Sequence, residues 1–218
     1  MHVHLKQLFD YWATIRAGRP APNRAEVDPT KFRDLLDRVF ILDHRGPREA
    51  RFRLAGTRLC NAFGMELRGM NMLTLWQGES RERLALTLDR VATEPAYALV
   101  CGMMENDLGA TAEYETLYLP LADDTGRVSR ILGATVTLNP KTAFGAAPVS
   151  EQWVDAATVY GITVTRPAVS PQPMLVAMQG EAMAPHEAVR HPIAVGERPA
   201  PAAARKAPQL KVIAGGRY

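Results

Sequence analysis

Apolar residues recur at helical spacing from the start of the chain. Leu5, Leu8, Phe9, Trp12 and Ile15 form one stripe, while Lys6, Gln7, Asp10 and Arg16 take the other side. The stripe predicts a helix from about Val3 to Ala17, stopped by Gly18 and Pro20. Two uses fit it equally: packing on its own domain, or self-association through Leu5, Leu8, Trp12 and Ile15, whose spacing is also that of a short a/d seam. After a polar connector, Asp28-Pro29 signals a second, short helix to about Leu36, with Asp28 as its cap. Arg38–His44 is strongly β-prone. Gly46-Pro47 turns the chain, and Arg51–Ala55 alternates Phe52 and Leu54 with polar neighbours, which predicts a hairpin.

Gly56 breaks that second strand, and Thr57 can cap a short helix carrying Leu59, Ala62 and Phe63, closed by Gly64. Met70–Trp76 is apolar without a readable period. Ser80 is the expected cap of a longer helix, Arg81–Thr93, with Leu84, Leu88 and Val91 inward and Pro95 beyond its end. Three strands follow. Tyr97–Glu105 is nearly all apolar, Glu113–Leu121 runs from polar to apolar, and Arg130–Leu138 alternates with Leu132, Ala134, Val136 and Leu138 on one face. Two strands, several helices and three meander strands predict an α+β fold: a five-stranded antiparallel sheet with helices packed on one face, preceded by the N-terminal helix. The expected divisions are an N-terminal helical cap (1–36), the sheet domain (37–140), a helical extension (141–165) with a helix at Ser150–Val159, and a tail (166–218).

The strand ending at Ala55, the helix ending in Ala62-Phe63-Gly64 and the following Glu66-Leu67-Arg68-Gly69 resemble the PAS sensor family, whose second strand leads into a similar "FG…ELxG" run. From about Leu5 to Leu138 the chain resembles the stand-alone bacterial PAS type. The resemblance implies a sensor of a small ligand or state, acting on a partner protein.

The 218 residues carry a net charge of +3, and the surplus sits in the tail: seven Lys/Arg against three Glu from Arg166 onward, which leaves the rest at −1. A near-neutral body argues against a broad nucleic-acid face. Eight of the sixteen prolines also fall in those last 53 residues, a composition expected to form a solvated tether, although Leu210–Ala214 has the makings of a docking segment. Two distant cysteines, no apolar leader and no run of about 18 apolar residues suggest a cytoplasmic protein without a membrane span.

Candidate chemistry is sparse. The five histidines are scattered, no metal-ligand spacing appears, and neither a nucleophile elbow nor a phosphate loop is present. Glu113 and Glu115 share a strand face but read as solvated surface. Light-sensing PAS relatives carry a reactive cysteine in "NCRFLQ", whereas Cys60 here precedes Asn61. Haem-sensing relatives often use a histidine on the long helix, and Arg81–Thr93 has none. The reading therefore predicts no cofactor, sets flavin and haem aside, and allows a small apolar ligand. Its lining candidates are Cys60, Phe63, Trp76, Leu88, Tyr97, Cys101, Met103 and Tyr118, with methionines nearby to adapt the shape. The competing view is that these side chains simply fill a core. The function expected is non-catalytic: a PAS-type regulator, homodimeric and contacting a partner protein. The alternative is a carrier or enzyme that uses the same cavity.

Overall fold

The computed structural model describes residues 1–138 and 145–165. The first hairpin is realised as β1 (Val39–Gly46) and β2 (Glu49–Ala55). The meander is β3 (Ala96–Asn106), β4 (Thr111–Ala122) and β5 (Val128–Leu138). A sixth strand, β6 (Val149–Gly161), pairs with β3, so the sheet runs β2-β1-β5-β4-β3-β6, antiparallel throughout. The helical extension expected at 141–165 is corrected by this strand. Its apolar positions do not alternate evenly because β6 carries a bulge at Asp155: Cys101 pairs with Ala156 and Gly102 with Val154. One extra residue reverses which side chains face inward. Gln152 and Val154 therefore point to the same side as Val159, and the period of two is hidden.

The sheet is covered on both faces. One carries α2 (Thr57–Phe63), a 3₁₀ turn (Met72–Leu75) and α3 (Gly78–Thr93). The other is crossed by α1 (Val3–Arg16). Strand alternation sorts the core between them. Phe40, Val100, Tyr114 and Ile131 face α2 and α3, whereas Ile41, Leu117, Leu132 and Ala134 face α1. Leu5, Leu8 and Trp12 are fully buried there, and the Trp12 Nε1–H donates to the Pro120 carbonyl at 2.9 Å. The stripe on α1 is thus spent inside its own domain; only Phe9 and Ile15 of it keep partial exposure.

The caps differ from expectation in an informative way. Gly56, not Thr57, is the N-cap of α2, and the Asp37 carbonyl takes the orphan amides of Arg58 and Leu59 at 2.8 and 3.3 Å. A Cβ on Gly56 would overlap that same backbone. The cap of α3 is Gln77, which frees Ser80 for a bond to β6 described below. Asp28 does cap its segment, accepting from Thr30 N at 2.9 Å, but Pro29–Leu35 forms 3₁₀ turns broken at Phe32. Among the described residues no helix is long and apolar enough to cross a membrane. The tail expected from Arg166, including Leu210–Ala214, lies outside the described residues.

Candidate functional site

The interior between the sheet and the α2–α3 face is apolar, with a few polar side chains placed where alternation brings them inward. Thr116 lies between Tyr114 and Tyr118 on β4, and its hydroxyl meets that of Thr135 on β5 at 2.9 Å. Trp76 Nε1–H donates to the Tyr114 hydroxyl (3.3 Å), which donates onward to the Trp153 carbonyl (3.2 Å). Gln152 Nε2 donates to the Leu75 carbonyl at 3.1 Å. Within this interior, Gln152 Oε1 has no hydrogen-bond partner among the described residues, and the Tyr118 hydroxyl has none of full geometry, although it lies close enough to Thr116 to feel its hydroxyl. An unmet polar atom in a low-dielectric interior costs about 1–3 kcal/mol, so such groups call for an explanation. The space beside Gln152 is nearly closed. A void of about 10 Å³ remains, lined in part by Phe52, Phe63, Met72, Trp76, Met104, Thr116 and Gln152.

Two glycines shape this interior. A side chain at Gly102 would overlap both the Trp153 carbonyl and the Tyr114 ring, so its absence lets those two groups meet. Gly133 pairs with Phe40 and Tyr118 on its two neighbouring strands, and the Phe40 ring lies over it in an edge contact with Tyr118 at 5.8 Å.

Burial governs the acidities. It pushes Tyr114 up to about 12 and Tyr118 well above the ordinary phenol value. Both stay protonated at neutral pH and act as hydrogen-bonding groups rather than bases. Burial also raises the Cys101 thiol, with Glu115 adding to the effect, and a protonated thiol is a poor nucleophile.

Of the expected lining residues, Phe63, Trp76, Leu88 and Tyr118 belong to this interior, and Cys60 packs at its rim. Cys60 Sγ donates to Glu66 Oε1 at 3.8 Å. Tyr97, Cys101 and Met103 do not belong. They occupy the odd positions of β3, whose even positions Ala98, Val100 and Met104 face inward. Tyr97 instead packs under α1, 4.8 Å from Phe9, and stacks on Tyr160 at 5.0 Å. The two cysteines are therefore separated by the sheet. Thr116, Thr135 and Gln152 escaped the sequence reading. The first two carried a usable signal, a polar residue at an inward position of a strand. Gln152 carried none, because the bulge masks its direction.

The bulge itself is tied to the helices. The Val154 amide donates to Ser80 Oγ at 3.0 Å, and Arg83 Nη1 donates to the carbonyls of Val154 (3.3 Å) and Asp155 (3.4 Å). Among the described residues no group of three or more His, Cys, Asp or Glu is placed to hold a metal.

Comparison with known proteins gives a family and a fold. A family model described as PAS domain matches residues 1–136. No curated protein matches the chain. Three of the similar solved structures are light-oxygen-voltage domains. One, studied with a flavin analogue, is 16% identical, with 55% of this chain and 90% of that one covered and a TM-score of 0.39. The dark structure of the blue-light photoreceptor Aureochrome1 domain is 14% identical, with 56% and 88% covered and a TM-score of 0.40. The Rhodobacter sphaeroides protein is 16% identical, with 53% and 71% covered and a TM-score of 0.39. These likenesses correct the expectation that no cofactor is involved and that flavin can be set aside. That expectation rested on the cysteine motif around Cys60, which bears on covalent photochemistry and not on whether a fold of this kind holds flavin. The match over 1–136 also runs through α1, which is thereby part of the domain rather than a separate cap, and stops short of β6. With that span covering more than half of its length, the chain belongs to the PAS domain family, a family of sensory signalling domains.

Proposed function

We propose that this chain is a non-catalytic PAS-type signalling protein, whose interior senses a small ligand and whose sheet passes the change to a partner protein or a second copy. The observation that supports this most is the wiring of β6. Its bulge is bonded to α3 through Ser80 and Arg83, to the turn before α3 through Gln152, and to the interior through Tyr114. Trp153 joins the two faces: its carbonyl accepts from Tyr114 inside, while its side chain stands beside Met103 on the outer face. There Leu99, Cys101, Met103 and Trp153 are only partly covered, and they form the contact surface of this reading. The first helix has no apolar stripe left for that role, since Leu5, Leu8 and Trp12 are buried in cis.

Amide hydrogen exchange on Ser80→Ala tests the wiring. Losing the acceptor orphans a buried amide at a cost of about 1–3 kcal/mol, so exchange across residues 152–156 should rise roughly tenfold and the change should reach Cys101–Met103 on β3. An increase confined to the Val154 amide would mean that the helices and the strand are not coupled, and the reading would fail.

A further inference from the structure

A second recess lies away from the interior, between the end of β1, the last turns of α3 and the β4–β5 hairpin. Its volume is about 500 Å³, and its charged or titratable lining is His44, Arg45, Asp89, Asp123 and Arg127. His44 is the unusual member. Its side chain is only 9% exposed, yet its Nε2 has no hydrogen-bond partner among the described residues, and the nearest carboxylate oxygen recorded is Asp89 Oδ1 at 3.8 Å. The two arginines are also unspent. Neither guanidinium makes a salt bridge or side-chain hydrogen bond among the described residues. Glu49, which feels the charge of Arg45, is bonded to Arg51 at 2.6 Å. Asp123 is committed to its own hairpin, with Oδ1 accepting from Thr125 N (2.9 Å), Thr125 Oγ1 (2.6 Å) and Arg127 N (3.1 Å).

We infer that this recess is a binding site for a small oxyanion, held by Arg45 and Arg127 and gated by the protonation of His44. With a neutral imidazole the two arginines are balanced by Asp89 and Asp123. A proton on His44 pairs it with Asp89 and leaves the recess with a net positive charge, which an anion neutralises. Guanidinium groups suit this because their forked donors match the geometry of oxyanions. Binding of the anion and uptake of the proton then reinforce each other by linkage.

Titration calorimetry of the full chain with sodium sulfate tests the site, because the charge of sulfate stays constant from about pH 5.5 to about pH 8, where histidine changes state. Saturable binding is expected at the lower pH, weaker by at least about fivefold at the higher one. Arg127→Ala should weaken binding at both. His44→Gln should abolish the pH difference while keeping the melting temperature near wild type at neutral pH. In NMR titrations sulfate should raise the midpoint of the His44 imidazole. No saturable binding at the lower pH, a pH difference that survives His44→Gln, or a His44 midpoint unmoved by sulfate would overturn the site.

Discussion

Among the described residues, His4 and His44 are the histidines that the fold holds below their ordinary pKa. For His4 the causes are burial first, then Arg38 and His2, against weaker opposing pulls from Asp34 and Asp37. For His44 burial dominates and Arg127 adds to it, while Asp89 opposes. The His4 ring also accepts a hydrogen bond through Nδ1 from Arg38 Nη1 at 2.6 Å, which a protonated ring cannot do. Both groups are thus neutral in the native state at a pH where the unfolded chain already takes up protons. Their contribution to stability is complete above the ordinary histidine value of 6.5 and is lost as pH falls through the lowered native values. Melting temperature should therefore decline on acidification from about pH 7 to about pH 5.5, before the carboxylates titrate. His4→Gln and His44→Gln should each flatten that decline, and a flat wild-type profile would contradict the assignment.

At the level of elements, the first five strands and α3 were legible to within a few residues because their turns and periods are plain. The predicted Arg130–Leu138, for example, is β5 at Val128–Leu138. What stayed hidden has a physical cause in each case. A strand apolar at every position does not say which side faces which layer, so Tyr97, Cys101 and Met103 were drawn toward the interior although their neighbours fill it. A bulge erased the alternation of β6. An apolar stripe on α1 fits a sheet as well as it fits a second helix, and the sheet takes it. That placement sets the expected outcome for Trp12→Asp. A ring only 1% exposed and bonded to Pro120 is replaced by a buried carboxylate, so a loss of at least about 4 kcal/mol is expected in chemical denaturation. A soluble variant of near-native stability would show that α1 does not pack in cis.

In the molecule as a whole, an interior with under-satisfied polar groups, a strand bonded to the helix over that interior and a partly uncovered sheet face stand in series. The sheet and its PAS character were readable from sequence; the wiring was not, since it runs through Ser80, Arg83 and Gln152, none of which stands out by pattern. The proposed ligand site is this interior, with Gln152 Oε1 beside the void and the Tyr118 hydroxyl in the same core as its polar contacts, and Met72 and Met104 yielding to admit the ligand. Native mass spectrometry of the full chain as purified, beside the Tyr118→Phe, Gln152→Met double variant, tests it most directly. Removing the Tyr118 hydroxyl, which makes no hydrogen bond of full geometry, should change stability by no more than about 1 kcal/mol, and losing the Gln152 bond to Leu75 costs a similar amount, so the variant remains folded. The expected result is a wild-type chain carrying one added small molecule, released chemically unchanged on denaturation, with occupancy at least about tenfold lower in the variant. A wild-type chain with no added mass, or equal occupancy in the two proteins, would contradict it.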